Sequence, residues 1–309
     1  MRHCLFLQIL VHSHARYRER VSKLIIMLSG SKRLLLFIII SCYTTVHAGT
    51  KPVETGDLFS DNAGNKLLPP DLQLKADFIY DSLKLNQAGL ERDIFYKGYK
   101  GYLYFLYEGQ LSNVSVMTIA DFSQSSKNKR LYVIDLAKME LVINTFVSHG
   151  KNSGGDMATS FSNIKDSYKS TLGFLITADT YNGSSGYSLR FNGGEPGIND
   201  RVRFRDIIVH GSRYVNAEKA EEDGKVGNSL GCPAVPLALS RKIIDCIKGG
   251  SLYFIYHPDE YYNASSAVLN ATITSPSQLI NTSLQQNNSN TVTANTMISG
   301  QTTGEQTQR

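Results

Sequence analysis

Two side chains in this sequence have types and surroundings suited to covalent chemistry, a cysteine and a histidine. Cys232 lies between Gly231 and Pro233, in a turn that most residue types could not make. His210 follows an apolar run at 207–209 that is typical of a buried strand, and a glycine comes directly after it. A thiol nucleophile needs a base within hydrogen-bond reach and a sharply turned backbone whose N–H groups can stabilise an oxyanion. The pair is therefore predicted to form a catalytic site, with a core thiol beside a buried histidine as the alternative.

Two other residues compete for these roles or could block them. His149 also precedes a glycine at the end of a predicted strand and is a rival base, although we favour His210. Cys246 lies in a predicted helix among isoleucines, so we expect a small buried side chain rather than a disulfide with Cys232. A zinc site built on His149, His210 and Cys232 is a further alternative, but no compact pair of ligands supports it. We expect no metal and no cofactor.

Strand patterns dominate the chain between residues 113 and 262, which is predicted to form one predominantly β (α+β) domain. The runs that alternate with period two, or are wholly apolar, are 116–122, 131–136, 141–147, 173–178, 187–191, 206–209 and 252–256. A helix is predicted at 237–247, and a small helical segment at 71–112 follows a linker at 49–70. Residues 263–309 are rich in Asn, Thr, Ser and Gln and are expected to form a disordered tail.

The positive charge of the chain is concentrated near its start. The 309 residues carry a formal charge of +5, but the first 48 hold seven Lys or Arg and one Glu, so the remainder carries −1. The basic pair at 32–33, the apolar run at 34–40 and the small residue Ala48 are typical of a secretory signal peptide, with Met27 as an alternative start. We expect an exported protein of the periplasm or cell envelope with no nucleic-acid partner. Membrane contact is expected only through this signal peptide or through a lipid anchor on Cys42.

The motifs of the predicted β domain resemble those of the murein L,D-transpeptidases. The nucleophile segment at 229–234 reads Ser-Leu-Gly-Cys-Pro-Ala and is similar to a branch of that family with the motif Ser-x-Gly-Cys-Pro-Ala. The other matching pieces are Asp121-Phe122-Ser123, Ser148 through Gly154, Thr159 through Asn163, Leu172-Gly173-Phe174, Thr180 through Gly183, Ser188-Leu189-Arg190 and His210-Gly211. The resemblance runs from about residue 118 to 262, nearly half of the chain.

This resemblance implies an exported acyltransferase on a β-sandwich fold that acts on peptidoglycan stem peptides. Cys232 would attack the L,D peptide bond of a stem tetrapeptide, with His210 as general base and acid. A side-chain amine of a second stem would then resolve the thioacyl enzyme. A carbonyl near Gly211 or the hydroxyl of Ser229 would orient the imidazole. Carbapenems are candidate inhibitors of such a thiol.

The sequence departs from the commoner family pattern directly after the cysteine, where Pro233 and Ala234 stand and an Arg or Asn is missing. Because proline has no N–H, we expect the oxyanion donors to be the N–H groups of Gly231 and Cys232. Candidate contacts to an anionic, peptide-like substrate are His149, Lys151, Asn152, Ser153, Tyr181 and Arg190. With water as the acceptor the enzyme would be an L,D-carboxypeptidase, and a non-catalytic wall-binding protein is the remaining alternative.

Overall fold

The computed structural model describes residues 68–274, whose strands form one continuous sheet. The helices are α1 (Pro70–Ser82), α2 (Arg92–Tyr107), α3 (Ala217–Glu222), α4 (Leu237–Ile247) and α5 (Glu260–Ser265). The strands are β1 (Val116–Asp121), β2 (Leu131–Asp135), β3 (Glu140–Thr145), β4 (Gly173–Gly183), β5 (Gly186–Gly193), β6 (Ile208–Ser212), β7 (Ala234–Pro236) and β8 (Leu252–Tyr256). Their order across the eight-stranded sheet is β3-β2-β1-β8-β4-β5-β6-β7.

Helices α2 and α4 contact opposite faces of this sheet. The Phe174 ring of β4 packs so closely on α2 that a Cβ atom at Gly101 would lie 2.0 Å from it. Thr177, three residues further along the same strand, donates its hydroxyl hydrogen to the Ile247 carbonyl at the end of α4, at 2.7 Å. Because side chains alternate across a strand, residues 174 and 177 face opposite sides. The apolar stripes of the two helices are thereby both buried.

The end of the sheet formed by β5, β6 and β7 positions the two chemistry-bearing residues. β6 pairs antiparallel with β5, so that His210 lies opposite Ser188. On its other side β6 pairs parallel with β7, so that His210 lies opposite Ala234. Cys232 precedes Ala234 by two residues, and this register carries the thiol and the imidazole to the same edge of the sheet.

The predicted predominantly β architecture with helices before it is confirmed, and so are the helix at Leu237–Ile247 and the strands. β7 was not predicted, since a three-residue strand that follows one proline and ends on another carries too little pattern. On α1, Leu74 and Phe78 are 70% and 65% exposed, so these two apolar side chains do not belong to the buried face of the helix. Among residues 68–274, no helix has the length and apolar character that crossing a membrane requires.

The folded core extends beyond residue 262, where the tail was predicted to begin. Residues 263–274 are not a disordered tail: Val268, Leu269 and Ile273 are buried in the core. The ammonium group of Lys100 also donates a hydrogen bond to the Leu269 carbonyl at 2.6 Å. The signal-peptide, lipid-anchor and start-site predictions for residues 1–48, the linker up to residue 67 and the tail beyond residue 274 lie outside the described residues.

Candidate active site

The turn that carries Cys232 depends on the glycine before it. Gly231 has a φ of +123°, a conformation that side-chain-bearing residues rarely adopt. A Cβ atom at this position would lie 2.9 Å from the Lys169 carbonyl oxygen and 3.1 Å from Cδ1 of Ile207. The partly buried thiol sulfur lies 3.6 Å from the Asp206 carbonyl oxygen. Only glycine at residue 231 therefore allows the thiol to take this place.

The hydroxyl of Ser229 closes the same turn. Its Oγ donates to the Cys232 carbonyl at 2.6 Å and accepts from the Gly231 N–H at 3.0 Å. The prediction that the Gly231 N–H serves as an oxyanion donor is thus contradicted, because that hydrogen is already engaged. The Cys232 N–H is left as the other of the two predicted donors. Ser229 holds the nucleophile turn and does not contact the imidazole.

The imidazole of His210 is held by its own neighbour. Nδ1 lies 3.1 Å from the Gly211 carbonyl oxygen, which can only accept a hydrogen bond, so Nδ1 carries the proton. The lone pair of Nε2 is then free to take a proton from another group. Of the two predicted orienting groups, the Gly211 carbonyl is the one within hydrogen-bond distance.

Burial keeps both groups neutral near pH 7. It raises the pKa of Cys232 to about 11, against the opposing effects of the Ile208 N–H and the Arg205 guanidinium. It also lowers the pKa of His210, against a smaller upward effect of the Gly211 carbonyl. A resting thiolate–imidazolium pair is therefore disfavoured, and the thiol must lose its proton to a base as it reacts.

Both residues line one cavity of about 680 Å³. A cavity of this size suits a small ligand or a short peptide. Its lining residues are Lys165, Asp166, Tyr168, Tyr181, Ser184, Ser185, Arg205, Asp206, Ile207, Ile208, His210, Gly211, Ser212, Tyr214, Leu230 and Cys232.

Four of the predicted substrate contacts lie at or near the wall of this cavity. Tyr181 lines it directly, and the Arg190 guanidinium lies over the Tyr181 ring, 3.8 Å from its centre. The exposed ammonium of Lys151 lies 4.1 Å from the centre of the Tyr168 ring, which is itself part of the lining. Asn152 is also exposed, and its side chain donates to a backbone carbonyl of the neighbouring loop at 2.9 Å. The Arg190 guanidinium also forms an ion pair with Asp179 at 2.5 Å, so its charge is already matched, whereas the exposed ammonium of Lys151 is accessible to an anionic ligand.

Comparison with known protein families places this site in context. A family model described as the L,D-transpeptidase catalytic domain matches residues 86–256. The chain belongs to the L,D-transpeptidase catalytic domain family. The predicted resemblance is confirmed, and the match includes both His210 and Cys232. A search of curated proteins found no match to the sequence.

Solved structures of L,D-transpeptidases are among the chains that match by structure. An L,D-transpeptidase from Mycobacterium smegmatis aligns at 12% identity and a TM-score of 0.29, covering 46% of this chain and 59% of that chain. The L,D-transpeptidase LdtMt1 in complex with imipenem aligns at 13% identity and a TM-score of 0.30, with coverage of 46% and 59%. The helical cell shape determining protein Pgp2 from Campylobacter jejuni aligns at 14% and 0.31, with coverage of 55% and 61%. This chain thus spans about three fifths of their lengths.

Two predicted substrate contacts of this L,D-transpeptidase domain are interior residues, and those predictions are wrong. His149 is fully buried, its Nδ1 accepts from Arg130 at 2.8 Å and its Nε2 donates to the Gly155 carbonyl at 3.1 Å. Burial and the Arg130 charge lower the pKa of His149 to about 4. Ser153 is also fully buried, and its Oγ accepts from the Ser170 N–H. Neither side chain lines the cavity.

The alternatives that would inactivate the thiol gain no support from the geometry. Cys246 is a free, partly buried thiol that packs against the core, and Cys232 is free as well. His149 faces Arg130 rather than His210 and Cys232, so the three do not meet as ligands. Residues 68–274 contain no cluster of three or more His, Cys, Asp or Glu arranged to hold a metal ion.

The candidate site also includes residues that the sequence did not indicate. Arg205 lines the cavity, and its guanidinium donates to the carbonyls of Ser162 and Lys169. Three non-glycine lining residues have positive φ: Asp166 at 59°, Tyr168 at 54° and Asp206 at 53°. In the sequence, only the positive charge of Arg205 could have indicated a role in the site. The residue types of Asp166, Tyr168 and Asp206 do not reveal that their φ angles are positive.

Proposed function

We propose that this protein is a murein L,D-transpeptidase in which Cys232 is the nucleophile and His210 is the general base and acid. The observation that carries the proposal is that the Cys232 thiol and the His210 imidazole lie in the same cavity, within the domain that matches the family model. A free thiol and an imidazole whose Nδ1 is fixed on the Gly211 carbonyl line the same cavity.

The proposed acylation begins with both groups neutral. Nε2 of His210 takes the thiol proton while Cys232 Sγ forms a bond to the carbonyl carbon of an L,D peptide bond. The π electrons of that carbonyl move to its oxygen, giving a tetrahedral oxyanion. When the oxyanion collapses, the C–N bond breaks and the imidazolium returns the proton to the leaving amine. A thioester to Cys232 remains, and the terminal D-amino acid departs.

The second half of the cycle uses the same groups in reverse. An amine of another stem peptide attacks the thioester carbon and gives a proton to His210. The C–S bond then breaks, the imidazolium returns that proton to the Cys232 sulfur, and the cross-linked product is released. The Cys232 N–H is the proposed donor to the oxyanion in both halves, since the Gly231 N–H is bound to Ser229. The raised pKa of Cys232 makes it a poor resting nucleophile, so removal of the base is expected to cost most of the activity.

Intact-mass detection of a covalent carbapenem adduct tests the nucleophile. We expect one adduct on the purified, reduced protein, none on Cys232→Ala and an undiminished adduct on Cys246→Ala, whose thiol is the matched control. An adduct that persists in Cys232→Ala would overturn the assignment. If folded wild-type protein forms no adduct, the non-catalytic wall-binding function is favoured instead.

Incubation with stem tetrapeptides identifies the acceptor. Cross-linked dimers are the expected product of a transpeptidase, whereas release of tripeptides alone would show that water resolves the thioester and that the enzyme is an L,D-carboxypeptidase. Both products should disappear with His210→Ala. Product formation at the wild-type rate in that variant would contradict the proposed base.

We also propose that the enzyme acts outside the cytoplasm, where peptidoglycan lies. The support is the signal-peptide pattern ending at Ala48 and the near-neutral charge of the residues after it. Fractionation of producing cells, followed by amino-terminal sequencing of the protein in the envelope fraction, tests this. An uncleaved protein confined to the cytoplasm would contradict it.

A further inference from the structure

Ser170 contacts the nucleophile turn from the interior, and its side chain is completely buried. Its hydroxyl accepts a hydrogen bond from the Gly150 N–H at 3.0 Å and donates one to the Gly231 carbonyl at 3.1 Å. The Ser170 N–H donates to Ser153 Oγ at 2.8 Å, so the backbone that carries this hydroxyl is held as well. The hydroxyl hydrogen is thereby directed at one acceptor, the Gly231 carbonyl.

The Gly231 carbonyl and the Cys232 N–H belong to the same peptide group. No cis peptide bond occurs among residues 68–274, and in a planar trans peptide these two groups point in nearly opposite directions. A bond that holds the carbonyl on the side of Ser170 therefore aims the Cys232 N–H away from Ser170. We propose that Ser170 is a positioning residue that sets the direction of the Cys232 N–H, the proposed donor to the oxyanion, through the Gly231 carbonyl.

Close packing around this peptide group limits what the loss of the Ser170 hydroxyl can change. A Cβ atom at Gly150 would lie 3.0 Å from the Gly231 Cα and 2.4 Å from the Tyr168 carbonyl oxygen. A Cβ atom at Gly231 would lie 2.9 Å from the Lys169 carbonyl oxygen. Backbone atoms thus support the turn even without the hydroxyl. Loss of the hydroxyl is expected to misdirect the N–H and leave the thiol in place.

The inference rests on the proposed function. Two reactions of the Cys232 thiol distinguish a failure of the positioning role of Ser170 from a failure of the proposed function. Acylation by a carbapenem passes through a tetrahedral oxyanion. Alkylation by iodoacetamide does not, because the new S–C bond forms as the C–I bond breaks and iodide leaves. An error in the direction of the Cys232 N–H should consequently slow acylation and spare alkylation.

We expect Ser170→Ala to slow carbapenem acylation by about 10- to 100-fold, less than removal of an oxyanion donor outright. The rate of iodoacetamide alkylation at Cys232 should not change. Ser170→Thr, which keeps the hydroxyl, should restore acylation. If Ser170→Ala does not fold, the nearly isosteric Ser170→Cys supplies a weaker donor and should show the same selective loss, with Cys232 followed by peptide mapping.

Ser251→Ala is the matched control, because Ser251 is also fully buried and also donates to a backbone carbonyl, that of Ile247, at 2.5 Å. It should lower stability without changing either reaction. Equal slowing of acylation and alkylation in Ser170→Ala, or no slowing of either, would overturn the positioning role. Absence of any adduct on the wild type would instead refute the proposed function.

Discussion

Burial of Cys232 determines the pH range in which its thiol reacts with an alkylating agent. Burial raises the pKa of this thiol to about 11, although the Ile208 N–H and Arg205 lower it. About one thiol in 10⁴ is then ionised at pH 7, and the ionised fraction grows about tenfold per pH unit. An ordinary cysteine with a pKa near 8.5 approaches full ionisation by about pH 9.5. For Cys232 we expect the alkylation rate to keep rising about tenfold per unit up to about pH 10.

Iodoacetamide labelling followed by intact mass measures this rate between about pH 6 and pH 10. The measurement is made on Cys246→Ala, so that a single thiol in the described part of the chain reacts, and Cys232→Ala reports the rate of Cys246 separately. A fast rate that stays constant between about pH 5 and pH 8 would refute the reasoning, since it would mean a preformed thiolate paired with an imidazolium. His210 would then carry a proton at rest and could not act as the base that starts acylation.

Two further predictions concern the interior around the site. Gly150→Ala should lower the free energy of unfolding by about 1–3 kcal/mol in urea denaturation, because the new Cβ would lie 2.4 Å from the Tyr168 carbonyl oxygen. Gly155→Ala, where nothing lies within 4 Å, is its control, and equal stabilities would contradict the packing argument. The His149 imidazole should titrate near pH 4 by NMR, since burial and then the Arg130 charge lower its pKa. Because this pKa lies below the unfolded value of 6.5, His149 stabilises the fold above about pH 6.5, and that stability is lost as the pH falls toward 4; a midpoint near 6.5 would contradict its burial.

The sequence was informative wherever a local pattern and a distinctive residue type coincide. The apolar run before His210 predicted a strand, and the glycine and proline around Cys232 predicted a sharp turn. Together with the neighbouring motifs they were enough to predict the family. The helix at Leu237–Ile247 followed from its apolar periodicity and the glycines after it. In these cases the residues that decide the structure are close together in the chain.

Predictions failed where a distant residue decides the environment. His149 resembles His210 locally, since each comes shortly after an apolar run and precedes a glycine. The difference is Arg130, which comes from another part of the chain and places its guanidinium 2.8 Å from His149 Nδ1 in the interior. Similarly, the Gly231 N–H was predicted to bind the oxyanion, and the Ser229 hydroxyl was one of two groups predicted to orient the imidazole. In the structure these two groups are hydrogen-bonded to each other. A single sequence does not show which of these polar groups form hydrogen bonds with each other.

The cavity wall shows why a site residue can escape sequence reasoning altogether. A non-glycine residue with positive φ costs about 1–3 kcal/mol and persists only when its surroundings hold it. Asp166 and Tyr168 have this conformation, and the segment that contains them is tied at both ends to Arg205, which donates to the Ser162 and Lys169 carbonyls. Arg205 itself precedes Asp206, the third such residue. A glycine at these positions would have marked a turn, whereas an aspartate or tyrosine does not. The shape of this wall therefore depends on an arginine that donates hydrogen bonds to backbone carbonyls. Because every residue has a backbone carbonyl, the residue types in the sequence do not reveal these partners.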